Sequence, residues 1–189
     1  MDALENRWAI TKYEMTDKAQ RIANVRALHL EAEGLVDRYP ARAEPLIWRA
    51  LIFILEGEVH SSTASLSALR NARTLLEQAE KIDGAALKGA VHANLGSLYY
   101  ELPGWPISFG NNTKAEAHLK QALAHDREGR DANYFYGDFL LQRRRAREAL
   151  PYLEKALNVP IDPAHERADK GRRREVLEAY EKARAAVAK

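Results

Sequence analysis

The sequence predicts an all-α protein in which pairs of helices repeat along the chain. Alanine, leucine, glutamate, arginine and lysine dominate the 189 residues, and no segment alternates apolar and polar side chains for long enough to form a strand. A second observation is the pattern Ala-x-x-x-Leu-x-x-Ala, which occurs three times. Its last two copies are 34 residues apart, and a period of that length predicts stacked structural units.

The first predicted helix spans residues 17 to 39 and ends before Pro40, because the residue before a proline is disfavoured in a helix. Its apolar residues recur with helical spacing. They are Ile22, Val25, Leu28, Leu35 and Val36. We expect this stripe to pack on the first repeat, so that residues 1–44 form an N-terminal capping region.

Three helix pairs follow, over residues 45–161. The second helix of each pair carries the alanine-leucine-alanine motif, at residues 72, 76 and 79, at 115, 119 and 122, and at 149, 153 and 156. The matching first helices carry Trp48, Leu51, Ile52 and Leu55; His92, Leu95, Gly96 and Tyr99; and Asn133, Tyr136, Gly137 and Leu140. We expect Gly96 and Gly137 to mark the points where the two helices of a pair approach closely.

This pattern resembles the tetratricopeptide repeat family, in which a bulky residue, Leu-Gly and Tyr precede Ala-x-x-x-Phe or Leu-x-x-Ala. His92 and Asn133 depart from it, since they stand at the bulky position. The resemblance implies a single domain over residues 1–189, folded as a right-handed superhelical solenoid of helix-turn-helix units with capping helices. It also implies a concave groove that binds a protein or peptide partner. The predicted groove residues are Arg49, Phe53, Asn94, Ser97, Tyr100, Glu101, Tyr134, Phe135 and Asp138.

The connection inside the second repeat is seven residues longer than in the third and contains the insert Leu-Pro-Gly-Trp-Pro-Ile-Ser-Phe-Gly over residues 102–110. Its prolines and glycines exclude a helix. A capping box, Thr113 with Glu116, predicts the start of the next helix. The first repeat has a polar loop over residues 57–63, followed by a helix over 64–82.

Trp105 and Phe109 of the insert have two possible roles. They can fold back and seal the helices, which we expect because exposed aromatic residues are costly, or they can anchor a partner. The insert resembles those of bacterial tetratricopeptide proteins, including the T component of TRAP-type transporters. That resemblance implies an alternative function, a ligand-binding accessory protein of a transport system.

The last segment, residues 162–189, begins with Asp162 as an N-cap and Pro163 in the first turn of a helix. Leu177, Tyr180 and Val187 give this charged segment an apolar side. We therefore expect a C-terminal capping helix that covers the last repeat.

Nothing in the sequence predicts catalysis, a metal or a cofactor. The absence of cysteine excludes disulfides and thiolate chemistry, and no nucleophile elbow or phosphate-binding glycine loop occurs. The six histidines lack a recognisable metal-binding spacing. They are His29, His60, His92, His118, His125 and His165.

A formal net charge of +2, and arginine runs at 143–145 and 172–174 that alternate with acidic residues, argue against nucleic acid as a partner. No apolar run approaches the roughly 18 residues of a membrane helix. The N-terminus lacks the features of a secretory signal, so we expect a soluble cytoplasmic protein, or a periplasmic one if a signal peptide has been removed. The expected function is a protein-interaction scaffold, and the third possibility is self-assembly into a homo-oligomer.

Overall fold

The computed structural model describes residues 2–60 and 63–188, and this part of the chain is all-α, as predicted. The nine helices of these residues are α1 (Asp2–Ala9), α2 (Lys18–Arg38), α3 (Ala43–Val59), α4 (Thr63–Asp83), α5 (Ala86–Glu101), α6 (Asn112–His125), α7 (Arg130–Gln142), α8 (Ala146–Asn158) and α9 (Glu166–Val187). A π-helical turn at Ile10–Glu14 follows α1, and a 3-10 turn at Pro163–His165 precedes α9. None of these helices combines the length and the apolar character that crossing a membrane requires.

The chain forms two compact units, Met1–Leu87 and Lys88–Lys189, which we call the N-terminal and the C-terminal unit. The N-terminal unit contains α1 to α4. The C-terminal unit contains α5, from Lys88 onward, and α6 to α9. Each unit has its own buried apolar core.

The repeated motif forms the buried side of the second helices. All nine alanine and leucine residues of its three copies have exposed fractions of 0–1%. The copies lie on α4, α6 and α8. The residues that the repeat pattern places in the core are therefore buried. The arrangement of the helix pairs as a solenoid stays a prediction.

Glycines mark the close contacts between paired helices. A Cβ atom added at Gly96 of α5 would lie 2.5 Å from Cγ of Leu119 on α6, and one at Gly137 of α7 would lie 2.7 Å from Cγ of Leu153 on α8. Both distances are shorter than real Cβ contacts, so the two helix pairs approach as closely as glycine allows. Gly57 of α3 approaches Leu69 of α4 in a similar way, at 2.9 Å, which the repeat pattern did not predict.

The N-terminal unit contains one helix that the sequence analysis did not identify. Helix α1 buries Leu4 and Trp8, and the Trp8 ring meets Trp48 of α3 edge to face at 5.9 Å between centroids. Helix α2 begins after Asp17, whose side chain accepts a hydrogen bond from the Gln20 backbone N–H, close to the predicted start.

The predicted loop over residues 57–63 begins later than expected. Helix α3 continues to Val59 because Gly57 and Val59 are buried, and α4 starts at Thr63. Residues 61 and 62 of this prediction lie outside the described residues.

One prediction about the helices of the C-terminal unit was wrong, and a second was wrong in part. Asn111, and not Thr113, caps α6, because its side chain accepts a hydrogen bond from the Lys114 backbone N–H at 3.0 Å. On α9, Leu177 is 46% exposed, whereas Val176 and Ala179 are buried. Leu177 therefore lies off the packing face of α9, whereas Tyr180 and Val187, the other residues of the predicted apolar side, are half-buried. The predicted cap at Asp162 is confirmed, since its side chain accepts from the Ala164 N–H at 2.9 Å.

Candidate functional site

The insert between α5 and α6 is a closed loop held by its own backbone. The Gly110 N–H donates to the Pro103 carbonyl at 3.0 Å, and the Asn111 N–H donates to the carbonyl of Tyr99 on α5 at 2.8 Å. Within the loop, the backbone N–H groups of Ile107 and Ser108 both donate to the Gly104 carbonyl, at 3.1 and 3.2 Å. These bonds fix both the base and the turn of the loop.

Gly110 is required by the base of this loop. A Cβ atom there would overlap the carbonyl oxygen of Leu102 and lie 2.8 Å from that of Pro103. Both obstacles are backbone atoms, which cannot move without opening the loop. The glycine therefore lets the two backbone segments at the base of the loop pack directly against each other.

The tip of the loop carries two exposed apolar side chains. Trp105 is 90% exposed and Ile107 is 64% exposed. The Trp105–Pro106 peptide bond is cis. The prediction that Trp105 seals the helices was wrong, because the backbone bonds close the loop on itself and leave its tip in solvent.

Phe109 follows the predicted inward orientation. Its side chain is half-buried, and its ring meets the Tyr99 ring at 90° with 6.0 Å between centroids. Such an edge-to-face contact is favourable for aromatic rings. The two aromatic residues of the insert therefore have different environments, and only Phe109 packs on a helix.

Most predicted groove residues on α5 have their side chains turned into the C-terminal unit. Asn94, Ser97 and Tyr100 are buried. The Asn94 amide donates to the Ala90 carbonyl, and the Ser97 hydroxyl donates to the carbonyl of Asn94, so both polar groups bind their own helix. Only Glu101 among the α5 residues of this set is exposed.

Tyr100 connects α5 to α7. Its hydroxyl donates to Oδ2 of Asp138 at 2.9 Å, and the same oxygen accepts from the Gln142 amide at 2.9 Å. Burial, and then the charge of Asp138, raise the pKa of Tyr100 well above its ordinary value. Tyr100 is therefore a neutral donor to a half-buried carboxylate.

The predicted groove residues Tyr134 and Phe135 of α7 are covered by a residue of α9. The Arg172 guanidinium lies 5.0 Å from the Tyr134 ring and 4.7 Å from the Phe135 ring, and its Nε donates to Asp131 at 3.0 Å. Phe135 is buried and Tyr134 half-buried, and burial raises the pKa of Tyr134. This side of α7 is thus occupied by cation–π contacts within the unit.

Arg49 and Phe53, the remaining predicted groove residues, belong to the N-terminal unit, where both are half-buried. Arg49 of α3 pairs with Glu33 of α2 at 3.0 Å. The Phe53 ring lies 4.4 Å from the ring of His29, and Nε2 of His29 lies 3.0 Å from Oε2 of Glu56. Both residues help to join α2 to α3.

Sequence reasoning missed a cluster of three histidines in the C-terminal unit. Nδ1 of His92 on α5 lies 3.3 Å from Nδ1 of His118 on α6, and the His125 ring lies parallel to that of His92 at 5.3 Å between centroids. The signal was present, because residues seven apart, such as His118 and His125, share one face of a helix. The spacing alone does not reveal the cluster, because His92 lies on a different helix, α5.

No protein-family model and no curated protein sequence matches this chain.

Proposed function

We propose that this protein is a protein-interaction module and that Trp105 and Ile107, at the tip of the insert, are its main anchor for a partner. The observation that carries the proposal is the 90% exposure of Trp105 on a loop whose base and turn are hydrogen-bonded. Tryptophan is strongly enriched among the residues that dominate binding energy. An exposed tryptophan contributes little to the free fold and has most of its surface left to bury in a complex.

The rigidity of the loop supports this role. Four backbone hydrogen bonds and the contact of Phe109 with Tyr99 order the loop before any partner arrives. A binding segment that is already ordered loses less conformational entropy on association. The fitting partner is a folded protein with an apolar pocket that accepts the indole ring and with a polar rim around it.

The groove predicted from the repeats remains a second contact surface in the proposal. In the C-terminal unit its accessible members are the exposed Glu101 and the half-buried Asp138, since Tyr134 is covered by Arg172 and the other predicted residues there are buried. A peptide bound at this surface would meet two carboxylates, so a segment with basic side chains fits best. This surface is mainly polar, and the loop supplies the apolar contact.

The experiment compares three forms of the full chain as bait in quantitative affinity capture. They are the wild type, the double variant Trp105→Ala with Ile107→Ala, and the control Leu30→Ala. Leu30 is 73% exposed on α2, so its replacement removes a similar kind of surface elsewhere. We expect a defined partner with the wild type and the control, and its loss with the double variant.

The affinity for that partner, measured with purified proteins, should fall at least about thirtyfold in the double variant, since hot-spot residues contribute 2 kcal/mol or more. Light scattering on the free chain shows whether the partner is a second copy. Equal recovery of the same proteins by all three baits would refute the role of the loop.

A further inference from the structure

The histidine cluster of the C-terminal unit lies between α5 and α6, where the sequence predicts only repeat packing. His92 is 5% exposed, His118 is half-buried and His125, the last residue of α6, is exposed. The cluster therefore extends from the core of the helix pair to its surface. Buried imidazoles need polar partners, and here they find them in each other.

The rings are ordered by the aromatic contacts on either side. The His92 and His118 rings are inclined by 27° with centroids 5.6 Å apart, and the Tyr99 ring lies nearly parallel to that of His118 at 5.7 Å. On the other side, the His125 ring is parallel to His92 within 2°. The four rings therefore form a row between the two helices.

The distance between the two nitrogen atoms agrees with that between two ligands of one metal ion. Imidazole nitrogen binds zinc at about 2.0–2.1 Å, so two such ligands at a tetrahedral angle lie roughly 3.3 Å apart. Nδ1 of His92 and Nδ1 of His118 are 3.3 Å apart. An N–H···O hydrogen bond is usually shorter, about 2.7–3.2 Å.

We propose that His92 and His118 form a binding site for a divalent transition-metal ion that prefers imidazole ligands, such as Zn²⁺. Coordination replaces the direct contact between the two Nδ1 atoms, and both rings turn so that their lone pairs meet at the metal. Water fills the remaining positions around the ion.

The type of ligand and its burial are both compatible with such an ion. Imidazole suits zinc, copper and nickel, and histidines bind them in the neutral form, so the affinity should fall on acidification. The buried position of His92 excludes much of the solvent from one side, while His118 is only half-buried and leaves access for the ion from the other. The site joins α5 to α6, so the bound ion would also stabilise this helix pair.

The test uses the full chain without a polyhistidine tag, titrated with Zn²⁺ in a calorimeter. The variants are His92→Asn and His118→Asn, and the matched control is His165→Asn, an exposed histidine at the start of the last helical segment. We expect one equivalent of Zn²⁺ to bind the wild type and the control. Each ligand variant should bind at least about tenfold more weakly, because even the loss of an outer-shell partner costs 10–100-fold.

Thermal unfolding gives a second measurement. Zn²⁺ should raise the Tm of the wild type and of His165→Asn, and it should leave that of His118→Asn unchanged. If His92→Asn fails to fold, His118→Asn decides the question, since that side chain is only half-buried. Nitrogen-15 spectra of the imidazoles should show Zn²⁺ shifting Nδ1 of both residues.

Two results would overturn the proposal. In the first, the folded wild type binds no Zn²⁺ and its Tm does not change, so that His92 and His118 are a hydrogen-bonded pair only. In the second, Zn²⁺ binds equally to the wild type and to both ligand variants, so that the ion occupies other residues.

Discussion

At the scale of single residues, Trp105 and Phe109 show how two aromatic side chains of one short loop acquire opposite roles. Trp105 is 90% exposed, whereas Phe109 is half-buried against Tyr99. Burial of apolar surface is what an aromatic residue contributes to folding. Only Phe109 therefore adds to the stability of the free protein.

This difference predicts the outcome of two separate substitutions. Trp105→Ala should leave the free energy of unfolding within about 0.5 kcal/mol of the wild type, as for other surface changes. Phe109→Ala should lower it by about 2 kcal/mol, roughly half the cost for a fully buried phenylalanine. Denaturant titration followed by circular dichroism measures both. A large loss for Trp105→Ala alone would mean that the indole packs on the protein in solution.

His29 is a second residue for which the environment decides a property of the side chain, here the pKa of the imidazole ring. Burial lowers the pKa of His29 below its ordinary value of 6.5, although the nearby Glu56 acts in the opposite direction. The charges of Arg49 and Glu33 also act on the ring, with opposite signs. The neutral imidazole is thus favoured in the folded state, where its Nε2 lies 3.0 Å from Glu56 Oε2.

We predict that the His29 ring, followed by NMR, titrates with a midpoint below 6.5. Since the pKa of the folded state is then lower than that of the unfolded state, the unfolded chain takes up the proton first on acidification. Stability from this group is complete above the unfolded pKa and is lost as the pH falls toward the folded pKa. His29→Gln should accordingly flatten the loss of stability just below about pH 7. A midpoint above 6.5 would show that Glu56 outweighs burial.

At the scale of secondary-structure elements, the glycine contacts explain how the paired helices pack. Gly137 lies against Leu153, which is fully buried, so Leu153 has no space into which it can move. Gly34 provides the matched control, because it lies inside α2 and no atom lies within 4 Å of a Cβ added there. Substitution of Gly137 should therefore lower the free energy of unfolding, whereas substitution of Gly34 should raise it.

Gly137→Leu should lower the free energy of unfolding by about 3 kcal/mol or more through overpacking. Gly34→Ala should raise it by up to about 1 kcal/mol, the difference in helix propensity. Gly104→Ala, in the loop, should have a small effect, since its nearest obstacle is the Gly110 carbonyl oxygen at 3.3 Å. Chemical denaturation measures all three. Equal losses at Gly137 and Gly104 would contradict the packing of α7 on α8.

The helix pairs could be predicted from the sequence because burial repeats with a fixed spacing on each second helix, as at Ala149, Leu153 and Ala156. The exposure of Trp105 could not, since it depends on backbone bonds inside the loop rather than on side-chain pattern. The histidine cluster was missed for a related reason. His92 and His118 are 26 positions apart, and only the packing of α5 on α6 brings them together.

At the scale of the whole molecule, each of the two compact units has a core of its own. In the C-terminal unit, all five helices contribute fully buried apolar side chains to that core. They are Leu95, Leu119, Leu140, Leu153 and Val176. The start of α7 is joined to the segment between α8 and α9 by Arg130, which is 6% exposed and donates to the carbonyls of Val159 and Pro160.

The last prediction is that the C-terminal unit folds alone. A fragment of residues 84–189 retains the whole of α5 to α9, the buried residues of their core and the ion pair of Arg130 with Asp169 at 2.6 Å. A domain of about 100 residues buries enough apolar surface to be stable by itself. The fragment should therefore show a helical circular dichroism spectrum and one cooperative thermal transition.

A shorter fragment, 84–161, serves as the control. It lacks α9 and so leaves Arg130 buried without Asp169, which should make it markedly less stable or unfolded. A fragment 84–189 without a cooperative transition would show that the core of the C-terminal unit does not suffice for folding.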